Sequence, residues 1–349
     1  MCIRDRRVYQ RKTSATEKEL RFIPNPLARL GKGEFWTQGL FLNRLQEELL
    51  SEDLLIAHYP NYLLKLLQIR KGAKPAVVGL SHGVTWDDRP GAWRSKIKRG
   101  LARKAFFQAD AFVANDTFFL REMGLKAQPR EQLYGEIAEN RWFIPNCVPP
   151  DLRRGNEHTE IKALNALLVP RNLYRNRGVH LAVEAFALFG KKHPDTRLLI
   201  VGKESQPAYV EALKQRVKSL HLDDRVIFRG HVAHTEMAGY YASCECCLIP
   251  SLCGEGTSLA ALEAMASGLA TVSTNVAGLL DLPTVQADTS AEALAARMME
   301  VYPERERIGR QQQETVNRDY SYEKWSKAWL EVIKRFESDY QVGRKDEEG

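Results

Sequence analysis

The feature that most constrains this 349-residue sequence is an alternation beginning at residue 165. Short apolar runs of strand type, NALLVP, TRLLIVG, RVIFRG, CCLIP and LATVST, take turns with the helical stretches VHLAVEAFALFGKKH, AYVEALKQRVKSL and TSLAALEAMASG. A strand wetted on one face alternates apolar and polar residues, whereas a continuous apolar run is buried on both faces, as in a parallel sheet covered by helices. A doubly wound α/β domain is therefore expected here. The first half repeats the logic less completely. EDLLIAHY, PAVVGLSH, DAFVAND and RWFIPN read as strands, and LLKLLQIRK and residues 92–107 as helices. Before residue 50 only TQGLFLNRLQEELL reads as a helix, one or two βα units short of a full domain. The proline-rich, polar NCVPPDLRRGNEHTE places a boundary near 147–158. Three segments follow: an incomplete first domain at 1–155, a second at 156–320, and an amphipathic terminal helix at 321–340, with the tail GRKDEEG unstructured.

Composition narrows the class. The chain is 44% hydrophobic and 27% charged, and no apolar run approaches the ~18 residues of a membrane span. The start, MCIRDRRVYQ, lacks the apolar stretch of a secretory signal and reads as a truncated N-terminus, so a cytoplasmic location is expected. Six cysteines, four of them within 244–253, do not resemble a disulfide framework. In the β-like run CECCLIPS alternate side chains face opposite ways, which points to packing and no metal site. Residues 1–150 hold 25 Lys and Arg against 16 Asp and Glu, a balance of +9, and the remainder 26 against 28, or −2. The first half therefore suits an acidic partner or an anionic membrane.

Chemistry concentrates after the strand ends, where open α/β sheets bind ligands. CCLIPS closes, a loop carries Gly254, Glu255 and Gly256, and a helix opens near Thr257 or Ser258, offering free amides and a helix dipole to a phosphate. A carboxylate beside a phosphate would repel it, so Glu255 is expected to point past it toward neutral hydroxyls, and Glu263, two turns on, toward a diol. VPRNLYRNRG supplies Arg171 and Arg177, whose guanidiniums suit diphosphate oxygens. Taken singly, these arginines could equally be solvated loop charges and Glu255 an ordinary acid near a helix start.

Together, PSLCGEGTSLAALEAMASGLATVST, the Arg171/Arg177 pair before a glycine, and RWFIPNCVPPD resemble the family-4 retaining glycosyltransferases of GT-B fold, the glycosyl transferases group 1. The resemblance is strong over about 165–285, moderate over 76–150 and negligible before 50. It implies two Rossmann-like domains facing a cleft, an acceptor-facing first domain, a nucleotide-sugar-binding second one, and a terminal helix crossing back. By position, Glu255 would grip the donor sugar's hydroxyls, Glu263 the ribose, and Arg171 and Arg177 the diphosphate. Gly256, Thr257 and Ser258 would offer backbone donors. His82, closing AVVGLS, would contact the donor sugar, although a strand-end histidine also serves as a structural hydrogen-bonder. The family needs no metal and no cofactor besides the nucleotide-diphosphate sugar as co-substrate. Its members transfer sugars with retention to glycan or lipid-linked acceptors, as in cell-surface polysaccharide biosynthesis. The chain departs from the pattern at Cys147 for glycine, at Thr257 and Ser258 for Phe-Gly, at Ala277 before Gly278, and at Asp281 for glutamate. The family's first strand and glycine-rich loop have no counterpart, so this chain itself is expected to be impaired.

RPGAWRSKIKRGLARKAFF carries seven basic residues and no acid from Arg89 to Lys104. Trp93, Ile97, Leu101 and Ala105 recur every four residues and predict an inward apolar stripe under a basic face. That face is either simply solvated or drawn to a peripheral anionic membrane. No nucleic-acid module is present. The alternatives to a transferase are a non-catalytic nucleotide-binding fragment, a membrane-associated partner, or another GT-B enzyme such as a phosphorylase or epimerase.

Overall fold

A computed structural model describes residues 7–8, 21–22, 40–84, 86, 91–126, 133–149 and 165–347. Contacts divide the chain into two compact units. One holds Met1–Ser81, Ile97–Val113 and Val332–Gly349, and the other His82–Lys96 and Ala114–Glu331. The expected junction at 147–158 passes out of the described residues at 150, and Asp87, Asp88 and Arg89 also lie outside them.

In the first unit a 3₁₀ turn, Leu40–Leu45, runs into α1 (Gln46–Leu50), where one helix was expected. Then come β1 (Leu54–Ala57), α2 (Pro60–Ile69), β2 (Ala76–Ser81) and, apart from Trp93–Lys96 and Ala114, which group with the other unit, α3 (Trp93–Gln108) and β3 (Ala111–Ala114). β1 and β2 pair in parallel, with β3 next in order. Proline fills the first turn of α2, where its missing N–H costs nothing, and Leu63, Leu66 and Ile69 turn one face inward. Asp110 fastens α2 to the sheet by pairing with Arg70 and accepting the Val77 N–H at 2.7 Å.

α3 corrects the expected stripe. Trp93 is 66% and Ile97 44% exposed, while the buried residues are Ser95, Ala102, Ala105, Phe106 and Ala109. A spacing of four overshoots the 3.6-residue turn by about 40° each time, so Trp93 and Ala105 sit a third of a circle apart. The sevenfold series Ser95, Ala102, Ala109 keeps to one side.

The second unit contains α4 (Thr117–Glu122), the antiparallel hairpin β4 (Gly135–Ala138) and β5 (Arg141–Phe143), and then the long alternation. Its strands are β6 (Ala166–Pro170), β7 (Arg197–Val201), β8 (Val226–Gly230), β9 (Cys246–Ile249), β10 (Thr271–Thr274) and β11 (Val285–Ala287). The helices between them are α5 (Val179–Phe189), α6 (Pro207–Ser219), α7 (Met237–Ser243), α8 (Leu259–Ala266) and, after β11, α9 (Ala291–Val301) and α10 (Arg305–Asp319). All six strands are parallel, in the order β8–β7–β6–β9–β10–β11. β6, β9 and β10 are buried at every residue, whereas edge strand β8 alternates, which is why the central runs are continuously apolar. Two cores cover the two faces. Val183, Phe186, Leu213 and Met298 fill one with Cys246, and Ala261, Met265, Val316 and Tyr320 fill the other with Cys247. Adjacent cysteines thus point to opposite faces, as the pleat requires. The terminal α11 (Tyr322–Glu347) runs through most of the charged tail read as unstructured, because its Arg, Lys, Asp and Glu carry no helix breaker beyond Gly343.

Candidate active site

The chain leaves β6 outward through β7 and β8, then returns to lay β9 on the other side of β6. Such a reversal, beyond the carboxyl ends of the strands, is where open α/β sheets take their ligands. Arg171 follows β6, and Ser251 to Ser258 follow β9, so the topology alone brings them together.

Backbone contacts then fix the approach. The Leu252 N–H donates to the Asn176 carbonyl at 2.9 Å. Gly178 lies between the turn Arg175–Arg177 and α5 at φ 65°, and a β-carbon there would overlap the Pro250 carbonyl oxygen. Only glycine allows this closeness and this conformation, and it carries Arg177 to the β9 loop. On the far side Gly83, at φ 98°, lies so near that a β-carbon would stand 2.7 Å from the Gly256 nitrogen. His82, half-buried at the end of β2, therefore has its backbone against the Glu255–Gly256 peptide. The Glu255 carbonyl accepts the Gly278 N–H at 3.1 Å. Thr257 donates its hydroxyl to the Asn115 carbonyl and accepts from Asn146 Nδ2 at 2.7 Å.

Within this frame Arg171, 8% exposed, and Glu255, 4% exposed, form an ion pair, and Arg177 Nη1 reaches the same Glu255 Oε1. Arg171 also donates to Ser251 Oγ and, at 3.4 Å, to Ser258 Oγ. Ser251 Oγ donates to Glu255 Oε1 at 3.0 Å. Two guanidiniums thus converge on one carboxylate. Burial pushes Arg171 down to about 10, still cationic at neutral pH. Thr257 and Ser258 are buried beside Gly256, and Ser258 starts α8 without using its side chain as a cap.

Glu263 is placed separately. It is 5% exposed, and its oxygens take the Tyr241 hydroxyl at 2.8 Å and His234 Nε2 at 3.0 Å. Burial, followed by the charge of Glu263, lifts Tyr241 well above the usual phenol range, so it remains a donor. Tyr241 also lies in the field of Arg171, linking the two acids' surroundings without a direct contact between them. Sequence reasoning missed Tyr241, His234, Asn115 and Asn146. Ser251 sat inside the recognised stretch, but nothing in its spacing marked a role.

Residues 165–303 match the model of the family described as Glycosyl transferases group 1. Those residues form a glycosyl transferases group 1 domain. The chain is 32% identical over 165 residues to mannosylfructose-phosphate synthase of Agrobacterium fabrum, a match covering 46% of this chain and 36% of that protein. It is 30% identical over 122 residues to the lipopolysaccharide core biosynthesis mannosyltransferase LpsB of Rhizobium meliloti, covering 34% of each. The chain thus spans about a third of the length of these curated relatives. Among solved structures, sucrose-phosphate synthase from Thermosynechococcus elongatus superposes with a TM-score of 0.69 at 19% identity, covering 89% of this chain and 80% of that one. Anabaena Alr3699/HepE, solved with UDP and glucose, gives 0.66 at 16%, covering 87% and 83%. The glycosyl transferases group 1 domain thus lies in a GT-B fold of two Rossmann-like α/β domains.

Proposed function

We propose that this chain is a retaining family-4 hexosyltransferase that moves a sugar from a nucleotide-diphosphate sugar to a glycan or lipid-linked acceptor in cell-surface polysaccharide biosynthesis. The observation that carries the reading is the convergence of Arg171, Arg177 and Glu255 at the β6/β9 reversal, with the His82–Gly83 backbone against the same loop. Arg171 and Arg177 hold the diphosphate and neutralise the charge that grows on it as the glycosidic C–O bond breaks, a task otherwise suited to a divalent ion. Gly256, Thr257 and Ser258 add donors at the mouth of α8. Glu255 grips the sugar's hydroxyls, His82 positions it, and Glu263 takes the ribose diol. The acceptor hydroxyl attacks on the face the diphosphate leaves, and the departing phosphate oxygen takes its proton, so configuration is kept without a carboxylate nucleophile. The UDP held by Anabaena Alr3699/HepE supports the donor class.

The test is incubation of the full chain with a panel of UDP- and GDP-sugars, followed by donor hydrolysis, transfer and product anomer. Transfer with inversion would overturn retention. Tight binding with neither hydrolysis nor transfer would favour a non-catalytic nucleotide-binding protein. In this reading the protein works in the cytoplasm at the inner face of an anionic membrane, approached through the basic segment Arg89–Lys104. The exposed Trp93 and Ile97 among its cations support that placement.

A further inference from the structure

We propose that the Glu255 carboxylate occupies an oxyanion-binding position, and that Ser251 is a further oxyanion-binding residue of the site. The inference deepens the glycosyltransferase reading and rests on it only in identifying the natural anion as the donor's diphosphate.

Counting donors against acceptors leads there. Glu255 Oε1 alone receives Arg171, Arg177 and the Ser251 hydroxyl. A carboxylate oxygen has two lone pairs, so three donors crowd one atom. Arg171 Nε, also buried, has no hydrogen-bond partner. Arg171 Nε is thus a buried donor left over, which is rare in a folded protein. A ligand with more oxygens and more negative charge fits this donor set better, and guanidiniums bind phosphate bidentately.

Ser251 is built to stay when the carboxylate leaves. It is fully buried, and its carbonyl accepts the Thr274 hydroxyl at 2.5 Å. Its own hydroxyl would then donate to a phosphate oxygen where it now donates to Glu255. The exchange also removes a conflict between expectation and geometry. Glu255 is expected to face sugar hydroxyls, yet both arginines hold it. Once a diphosphate takes the arginines, the carboxylate is released toward the sugar.

Calorimetry on the full chain with inorganic pyrophosphate tests the proposal. Glu255→Gln removes the competing anion and is expected to tighten pyrophosphate about tenfold. Adding Ser251→Ala to that variant is expected to give about tenfold back, the worth of a hydrogen bond to a charged group. Unchanged or weaker binding in Glu255→Gln, or no effect of Ser251→Ala in its background, overturns the proposal. If Glu255→Gln unfolds early, pyrophosphate must raise its melting temperature more than the wild type's; an equal or smaller rise also overturns it. Pyrophosphate carries neither sugar nor nucleoside, so a failure of sugar transfer would sink the transferase reading while leaving these outcomes intact.

Discussion

At the scale of single residues the site depends on backbone approach before it depends on charge. Gly178→Ala places a β-carbon on the Pro250 carbonyl and a side chain at φ 65°. A loss of about 3 kcal/mol is expected from the two strains together, read from the denaturant midpoint, and pyrophosphate binding should fall with it because Arg177 is displaced. Tyr241→Phe removes the hydroxyl held by Glu263 and leaves a buried carboxylate oxygen short of a donor. About 1–3 kcal/mol of stability should go, and nucleoside affinity should drop more than pyrophosphate affinity in parallel titrations. The meeting of Arg171, Arg177 and Glu255 was legible in the sequence because each follows a strand end, and strand ends share one edge of a parallel sheet. Their pairing with one another was not, since the sequence reading aimed the carboxylate past the phosphate toward neutral hydroxyls. Tyr241 and His234 were illegible for another reason: they reach Glu263 through the packing of α7 and its preceding turn, which no residue spacing encodes.

At the scale of elements, legibility followed burial. β6, β9 and β10 could be read because a strand covered on both faces leaves an unbroken apolar run. α3 was misread in detail, since residues four apart drift round a helix and the inward side follows Ser95 and Ala102 instead. The drift leaves Trp93 and Ile97 exposed beside Arg94, Lys96 and Arg99. Vesicles containing anionic phosphatidylglycerol should therefore sediment the protein, and neutral phosphatidylcholine should not. Replacing Trp93 and Ile97 by Ser should weaken that association several-fold with little change in melting temperature, because neither side chain is buried. Equal sedimentation with both lipids would leave the basic face merely solvated.

At the scale of the whole molecule, the parallel six-stranded unit followed from its alternation, whereas the first unit was only partly legible because fewer βα repeats declare themselves there. Acid is expected to act on that first unit through His58. Burial lowers its pKa from 6.5 to about 4. Above pH 6.5 the ring is neutral in both folded and unfolded chains, and stability is full. Between 6.5 and 4 the unfolded chain takes up a proton that the folded one resists, so stability falls with pH. Partial exposure moderates the loss to about 1–2 kcal/mol, and His58→Asn should flatten the slope of urea-unfolding free energy between pH 7 and 4.5.

The links that gather the candidate site join remote parts of the chain. Thr257 meets Asn115 across 142 positions, and Thr117 donates to Asp281 across 164. Such closures form late, because distant segments must first be brought together against chain entropy. A refolding population should therefore regain helical circular dichroism well before it can capture pyrophosphate, which makes anion capture a reporter of completed assembly.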